Sequence, residues 1–210
     1  MTTAPLVLRE AHPTVVERVA AVLRAGGVAV LPTDTVYGLV ALPADRAAMA
    51  RLFALKGRAA EVPVAVLCAD ADQALALADP AAQEGAAKAA SRWWPGPLTL
   101  VLPRRDGVGL HLGEPSSTIG LRVPAHKLVR AVASLVGPIA ATSANRHGEP
   151  TASTAAEVGA ALGPGLDLVV DGGELGVSAS TVVDGTTLPW RVLREGPIPA
   201  AEVLALAPGA

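Results

Sequence analysis

The chain predicts an α/β fold: a single domain with a twisted mixed sheet and flanking helices. Three observations carry that expectation. Short runs rich in Val, Leu and Ile alternate with stretches of helical spacing along the whole length. A hydrophobic content of 51% in 210 residues suffices for one substantial core. No internal repeat, linker or low-complexity tail divides the sequence.

The elements follow in order. Thr14 and Glu17 have capping-box spacing ahead of Val15, Val16, Val19 and Leu23, and Gly26-Gly27 stops that helix. A strand reads through VAVLP at 28–32. Helical spacing returns from about Asp45 to Leu55, with Met49, Leu52 and Phe53 on one side and Gly57 placed to end it. Further strands are expected at 62–67, 97–103, 118–124, 138–142, 166–170, 180–184 and 190–195. Alanine-rich helices are expected near 70–92, 125–135, 154–162 and 199–206. Asp184-Gly185 reads as a turn, so the last two strands should form an antiparallel pair.

Composition narrows the function. The sequence holds three Trp, one Tyr and one Phe, too few for base-stacking platforms of the single-strand-binding kind. A formal charge of -2 argues against tight electrostatic capture of nucleic acid, while leaving room for a local basic patch. Mean hydropathy is +0.43, that of a globular chain. The single cysteine, Cys68, stands in an apolar run, so no internal disulfide or cysteine-rich zinc site forms and core packing is its expected role. The N-terminus lacks a basic region followed by an apolar stretch, and no apolar run approaches the roughly 18 residues that span a bilayer. A cytoplasmic protein with no membrane association is the expectation.

Several familiar sites are absent from the pattern. No segment matches the Walker phosphate loop, and GVGLHLG at 107–113 lacks both the dinucleotide-binding spacing and a preceding strand. His12, His111, His126 and His147 are scattered without metal-ligand spacing, so no resident metal is expected. No serine flanked by glycines suggests a nucleophile elbow.

Two pairs of polar groups stand out against the apolar background. Lys56 and Arg58 in LKGR follow a helix, and Ser143 and Asn145 in PIAATSAN follow a strand; together they suit a phosphate-bearing substrate. Alone, each pair also fits a solvated helix end or a turn. LPTDTVYGL places Thr33, Asp34, Thr35 and Tyr37 directly after a strand, where open α/β sheets collect ligands, and it fits a capped turn as well. Arg122 interrupts the apolar strand in SSTIGLRVP. Buried, it requires a partner such as a carboxylate; on an edge strand it reaches solvent. DGGELGVSASTVVD runs a glycine-rich loop into Ser180 and Thr181, and Arg194 in LREGPI follows another strand, where a solvated arginine is the simpler explanation.

In order, PTDTVYGL, LKGR, WWPGPLTLVLP, GLRVPAH, ATSAN, DGG with STVVD, and LREGPI resemble the YrdC-like threonylcarbamoyl-AMP synthase family, over roughly residues 10–206. The resemblance implies an α/β fold with a large concave, positively lined cavity. It implies synthesis of threonylcarbamoyl-adenylate from L-threonine, bicarbonate and ATP, with release of pyrophosphate, for threonylcarbamoyl modification of tRNA. By the same resemblance Lys56, Arg58, Thr118, Ser143, Asn145 and Arg194 surround ATP, and Thr35, Arg122 and Ser180 surround threonine. Lys56, Arg58, Ser143 and Asn145 are the expected catalytic group. The resemblance also implies ATP as a substrate that carries Mg2+, and transient tRNA or tRNA-modification proteins as partners. Two departures from the family pattern stand out. Ala59 and Val62 replace a Pro and a polar Lys or Asn after the lysine-arginine motif, and Leu67 stands where a His is frequent. These departures motivate an alternative, a nucleotide- or RNA-binding YrdC-like protein without synthase activity. The chain resembles the short form without an additional C-terminal domain.

Overall fold

The leucine- and valine-rich runs pair into one 10-stranded sheet in the computed structural model, which describes residues 5–57, 63–114 and 117–208. In chain order the elements are β1 (Leu6–Arg9), α1 (Val15–Arg24), β2 (Ala29–Leu31), β3 (Gly38–Ala41), α2 (Arg46–Lys56), β4 (Ala65–Leu67), α3 (Ala71–Leu75), α4 (Pro80–Trp93) and β5 (Leu98–Pro103). They continue as β6 (Thr118–Arg122), α5 (Lys127–Val136), β7 (Ile139–Ser143), α6 (Ala155–Leu162), β8 (Leu168–Asp171), β9 (Thr181–Asp184), β10 (Arg191–Arg194) and α7 (Ala200–Leu204). The strand order is β1-β8-β2-β3-β7-β4-β6-β5-β9-β10. Four neighbouring pairs are parallel, β1/β8, β2/β8, β4/β6 and β5/β9. The other five are antiparallel, including the β9/β10 pair expected from Asp184-Gly185.

Successive side chains on a strand point to opposite faces, and each face meets a different helical layer. One face buries Val30, Leu39, Val66, Leu100, Leu121 and Val169 against Met49 and Leu52 of α2, Ala86, Ala89 and Ala90 of α4, and Val158 of α6. The opposite face buries Leu31, Val40, Ile139 and Val170 against Val15, Val19 and Leu23 of α1 and Leu128, Val129 and Val132 of α5. Those two helices cover the half of the sheet that carries β1, β8, β2, β3 and β7. Cys68 is fully buried in the first core, where loss of solvent pushes its thiol up to about 12. Among the described residues no helix is long and apolar enough to cross a membrane.

Local chemistry explains where the elements depart from expectation. Thr14 does precede α1, but its side chain caps nothing and lies 3.2 Å from His12 Nδ1, so the box with Glu17 does not form. A capping box forms instead at α6, where Thr154 Oγ1 accepts from Glu157 N and Glu157 Oε2 accepts from Thr154 N. The single helix expected near 70–92 is two, α3 and α4. Pro80 cannot continue a helix but suits its first turn, and Asp79 Oδ1 accepts from Ala81 N to start α4. The strand expected over 62–67 is β4 from Ala65, with Val62 outside the described residues. Strands β1 and β3 were not anticipated.

Tyr37 closes the turn just before β3, but its side chain enters the core rather than a ligand site. It is fully buried, its hydroxyl donates to Gly173 O at 2.6 Å, and Gly172 N donates to it at 3.0 Å. Burial pushes the phenol up from its ordinary value. This staples the segment after β8 to β3. Replacing Tyr37 with Phe removes both hydrogen bonds with little change of shape and should destabilise the protein by about 1–2 kcal/mol, read as a lower urea midpoint with unchanged slope.

Candidate functional site

Beyond α1 and α5, the same sheet face opens at β4, β6, β5 and β9 onto a cavity of about 460 Å³. Strand alternation selects its lining. Thr118, Gly120 and Arg122 of β6, Thr99 and Val101 of β5, and Ala65 and Leu67 of β4 face it. Ile119, Leu121, Leu98 and Leu100 point the other way into the core. Leu67 and Ala141 belong both to the lining and to the core beneath α1 and α5.

Arg122 ends β6 with its side chain 7% exposed. Its Nη2 donates to Asp34 Oδ1 at 2.7 Å, Nη1 to Thr35 Oγ1 at 2.9 Å and Nε to Gly96 O at 3.1 Å. The carboxylate expected of a buried arginine is therefore Asp34, itself 13% exposed, with Oδ2 buried and unpartnered. Burial pushes the guanidinium down from its ordinary value, and the charge and hydrogen bond of Asp34 oppose that shift. The turn between β2 and β3 fixes both partners. Thr33 Oγ1 accepts from Thr35 N at 3.1 Å and donates to Val36 O at 2.6 Å. With that proton committed, the Thr35 hydroxyl is the donor in its 3.0 Å contact with Thr33 Oγ1 and keeps a lone pair for Arg122.

A second polar knot joins the helix end to a distant strand. Asp45 Oδ1 starts α2 by accepting from Ala47 N and Ala48 N, and Gly57 ends it in the left-handed region at φ 62°. The last residue, Lys56, is 3% exposed. Its Nζ donates to Ser143 O at 2.6 Å, Ser143 Oγ at 3.0 Å and Asn145 Oδ1 at 2.7 Å. Asn145 Nδ2 donates to Arg146 O and Glu149 O, and His147 N donates to Lys56 O, so the segment after β7 is bound to the end of α2.

A third group stands where β9 meets β10. Arg194 Nε donates to Ser180 O at 3.0 Å and Nη2 to Ser180 Oγ at 3.1 Å, while Ser180 Oγ lies 2.8 Å from Thr99 Oγ1. Burial lowers the Arg194 guanidinium, and the charge of Arg122 lowers it further.

Of the residues singled out from sequence, Thr33, Thr35, Thr118, Arg122, Ser143, Ser180 and Arg194 line the cavity. Lys56 and Asn145 reach it through Ser143. Arg58 lies outside the described residues. Thr181 turns away, fully buried, exchanging hydrogen bonds with Ile198 O and N. Thr99 was missed; its signal was a lone hydroxyl among the leucines of PLTLVLP, at the alternation that faces the cavity.

Comparison with known proteins places this geometry among relatives. The family model described as telomere recombination (Sua5_yciO_yrdC) matches residues 21–196. A Pyrococcus abyssi protein named threonylcarbamoyl-AMP synthase is 39% identical over 183 residues, which is 86% of this chain and 54% of that protein. The crystal structure of P. abyssi Sua5 complexed with L-threonine is similar with a TM-score of 0.87 at 36% identity, over 97% of this chain and 61% of that one. The crystal structure of E. coli YciO is similar with a TM-score of 0.80 at 27% identity, over 95% of this chain and 98% of that one. The chain thus spans about half the length of the P. abyssi relative and nearly all of YciO.

Replacing Lys56 with Met keeps the length of the side chain and removes its donors. Ser143 O and Asn145 Oδ1 then lose a buried partner, and the protein should be destabilised by about 1–3 kcal/mol. Urea unfolding of both proteins checks this.

Proposed function

Because the chain belongs to the Sua5/YciO/YrdC family, we propose that it is a threonylcarbamoyl-AMP synthase, a nucleotidyltransferase. Its substrates are L-threonine, bicarbonate and ATP, and its products are threonylcarbamoyl-AMP and pyrophosphate. The observation that carries this reading is the division of one cavity into a buried, carboxylate-paired arginine on one wall and a Lys56–Ser143–Asn145 knot on another. The first suits an amino-acid carboxylate, the second a phosphate chain.

Threonine binds with its carboxylate on the remaining N–H groups of Arg122 and its polar groups near Thr35 and Ser180. ATP lies along Thr118, Ser143, Asn145 and Arg194, with Lys56 behind Ser143 and Arg58 from the segment after α2; Mg2+ arrives with it as part of the substrate. The threonine nitrogen adds to bicarbonate carbon and water leaves, giving a carbamate. A carbamate oxygen then attacks the α-phosphorus of ATP, and the bond to the β-phosphate oxygen breaks to release pyrophosphate. No enzyme nucleophile takes part. The protein orients the two substrates and neutralises charge that develops on the phosphates. Leu67 gives the threonine side of the cavity an apolar wall where a histidine is frequent in the family pattern. The adenylate serves tRNA threonylcarbamoylation in the cytoplasm, by transfer to tRNA-modification proteins.

The purified protein should release pyrophosphate from ATP only when both L-threonine and bicarbonate are supplied. Equal release without threonine counts against the reading, and ATP binding with no release at all favours a nucleotide- or RNA-binding role. Arg122→Leu should weaken threonine binding by about 2–5 kcal/mol, the cost of removing one member of a buried pair, while ATP affinity changes little. Calorimetry with each ligand separates these outcomes.

A further inference from the structure

The cavity lining carries two charged side chains among the described residues, Arg122 and Arg194, both cationic. Only Arg122 is already paired, with Asp34 Oδ1 at 2.7 Å in surroundings where both side chains are nearly buried. Arg122 gives one N–H to each of three protein acceptors, and each terminal nitrogen keeps a second N–H for a ligand. The pair therefore offers hydrogen bonds without net charge. A ligand that brings a carboxylate and an ammonium adds no net charge to this wall. A ligand that brings the carboxylate alone adds an anion that the Arg122–Asp34 pair does not compensate, which is costly where solvent is scarce.

We infer that Asp34 is a specificity-determining, positioning residue: by cancelling the charge of Arg122 before a ligand arrives, it makes the site select an amino acid over the corresponding hydroxy acid. This rests on the proposed threonine site. Asp34 acts through Arg122 rather than by touching the ligand, since it stands behind Thr33, Thr35 and Arg122 and does not line the cavity. Its position in the turn is built rather than incidental, because Thr33 ties the turn to Val36 while Thr35 holds the adjacent nitrogen of the same guanidinium.

The test separates charge from shape. Asp34→Asn keeps an oxygen that accepts from Arg122 Nη2, removes the negative charge and puts an amide NH2 in place of the unpartnered Oδ2. Calorimetry on the whole protein compares L-threonine with 3-hydroxybutyrate, which is threonine without its amine. The native protein should bind threonine and strongly reject the hydroxy acid. In Asp34→Asn the ratio of the two affinities should fall by about tenfold or more, because the bare Arg122 cation now favours a lone anion. Lys56 and Arg194 are common to both proteins, so their pull on a carboxylate cancels in the comparison. Asp34→Glu, which keeps the charge, should retain a ratio close to the native one. Asp34→Ser, small and neutral, gives the same readout as Asn should the asparagine variant fail to fold. A ratio unchanged within about twofold in a folded neutral variant overturns the inference and leaves the synthase reading standing. Failure of the native protein to bind threonine overturns both.

Discussion

The width of the sheet against the length of its helical cover is the constraint on which the rest depends. Ten strands lie side by side, and on one face α1 and α5 are, among the described residues, the helices that bury them. A sheet face left without a helix favours small and polar side chains, and the open strands carry Thr99, Thr118, Gly120 and Arg122 beside Ala65, Leu67 and Val101 at the positions that alternate with core leucines. The cavity is thus a property of the architecture. What distinguishes it chemically is the small set of polar groups placed on that exposed half.

Those groups come from strands and turns far apart in the chain, and several are held by local geometry before any ligand is considered. The β2–β3 turn locks Thr35 and Asp34 through the Thr33 hydroxyl. The left-handed Gly57 ends α2 at Lys56, whose carbonyl and ammonium both reach the segment after β7. Ser180 lies where Arg194 of the neighbouring strand can bridge to it. Such a site loses little conformational freedom when a substrate enters, which is the condition under which positioning lowers a barrier.

Much of the fold was legible because its signals are local. The alternation in TIGLRVP gives both the strand and the odd polar side, and Asp45 with Gly57 brackets α2 within a residue or two. β1 escaped notice because a four-residue edge strand is defined by its pairing with β8, far along the chain. Thr14 and Thr154 show the limit of a motif read alone: both have glutamate three residues on, and only the second closes the box, because His12 engages the first hydroxyl. In the site, residue types were readable and partnerships were not. Arg122 announced a need for a carboxylate, but the sequence does not say that it is Asp34, 88 residues upstream. Nor does it say that Lys56 meets Ser143 across 87 residues. Tyr37 and Thr181 looked like site residues by neighbourhood, and both turn inward, the first from the end of the β2–β3 turn and the second at the start of β9.

Leu67 and Ala141 face the cavity on one side and help bury α1 and α5 on the other. Evolutionary drift at these two positions is doubly constrained, because any side chain that reshapes the pocket also disturbs helix packing. Val101 and Val182 line the pocket without that second duty. Along a lineage, variation in ligand shape should accumulate first on the β5–β9 side, and the wall formed by β4 and β7 should change only together with the helices behind it.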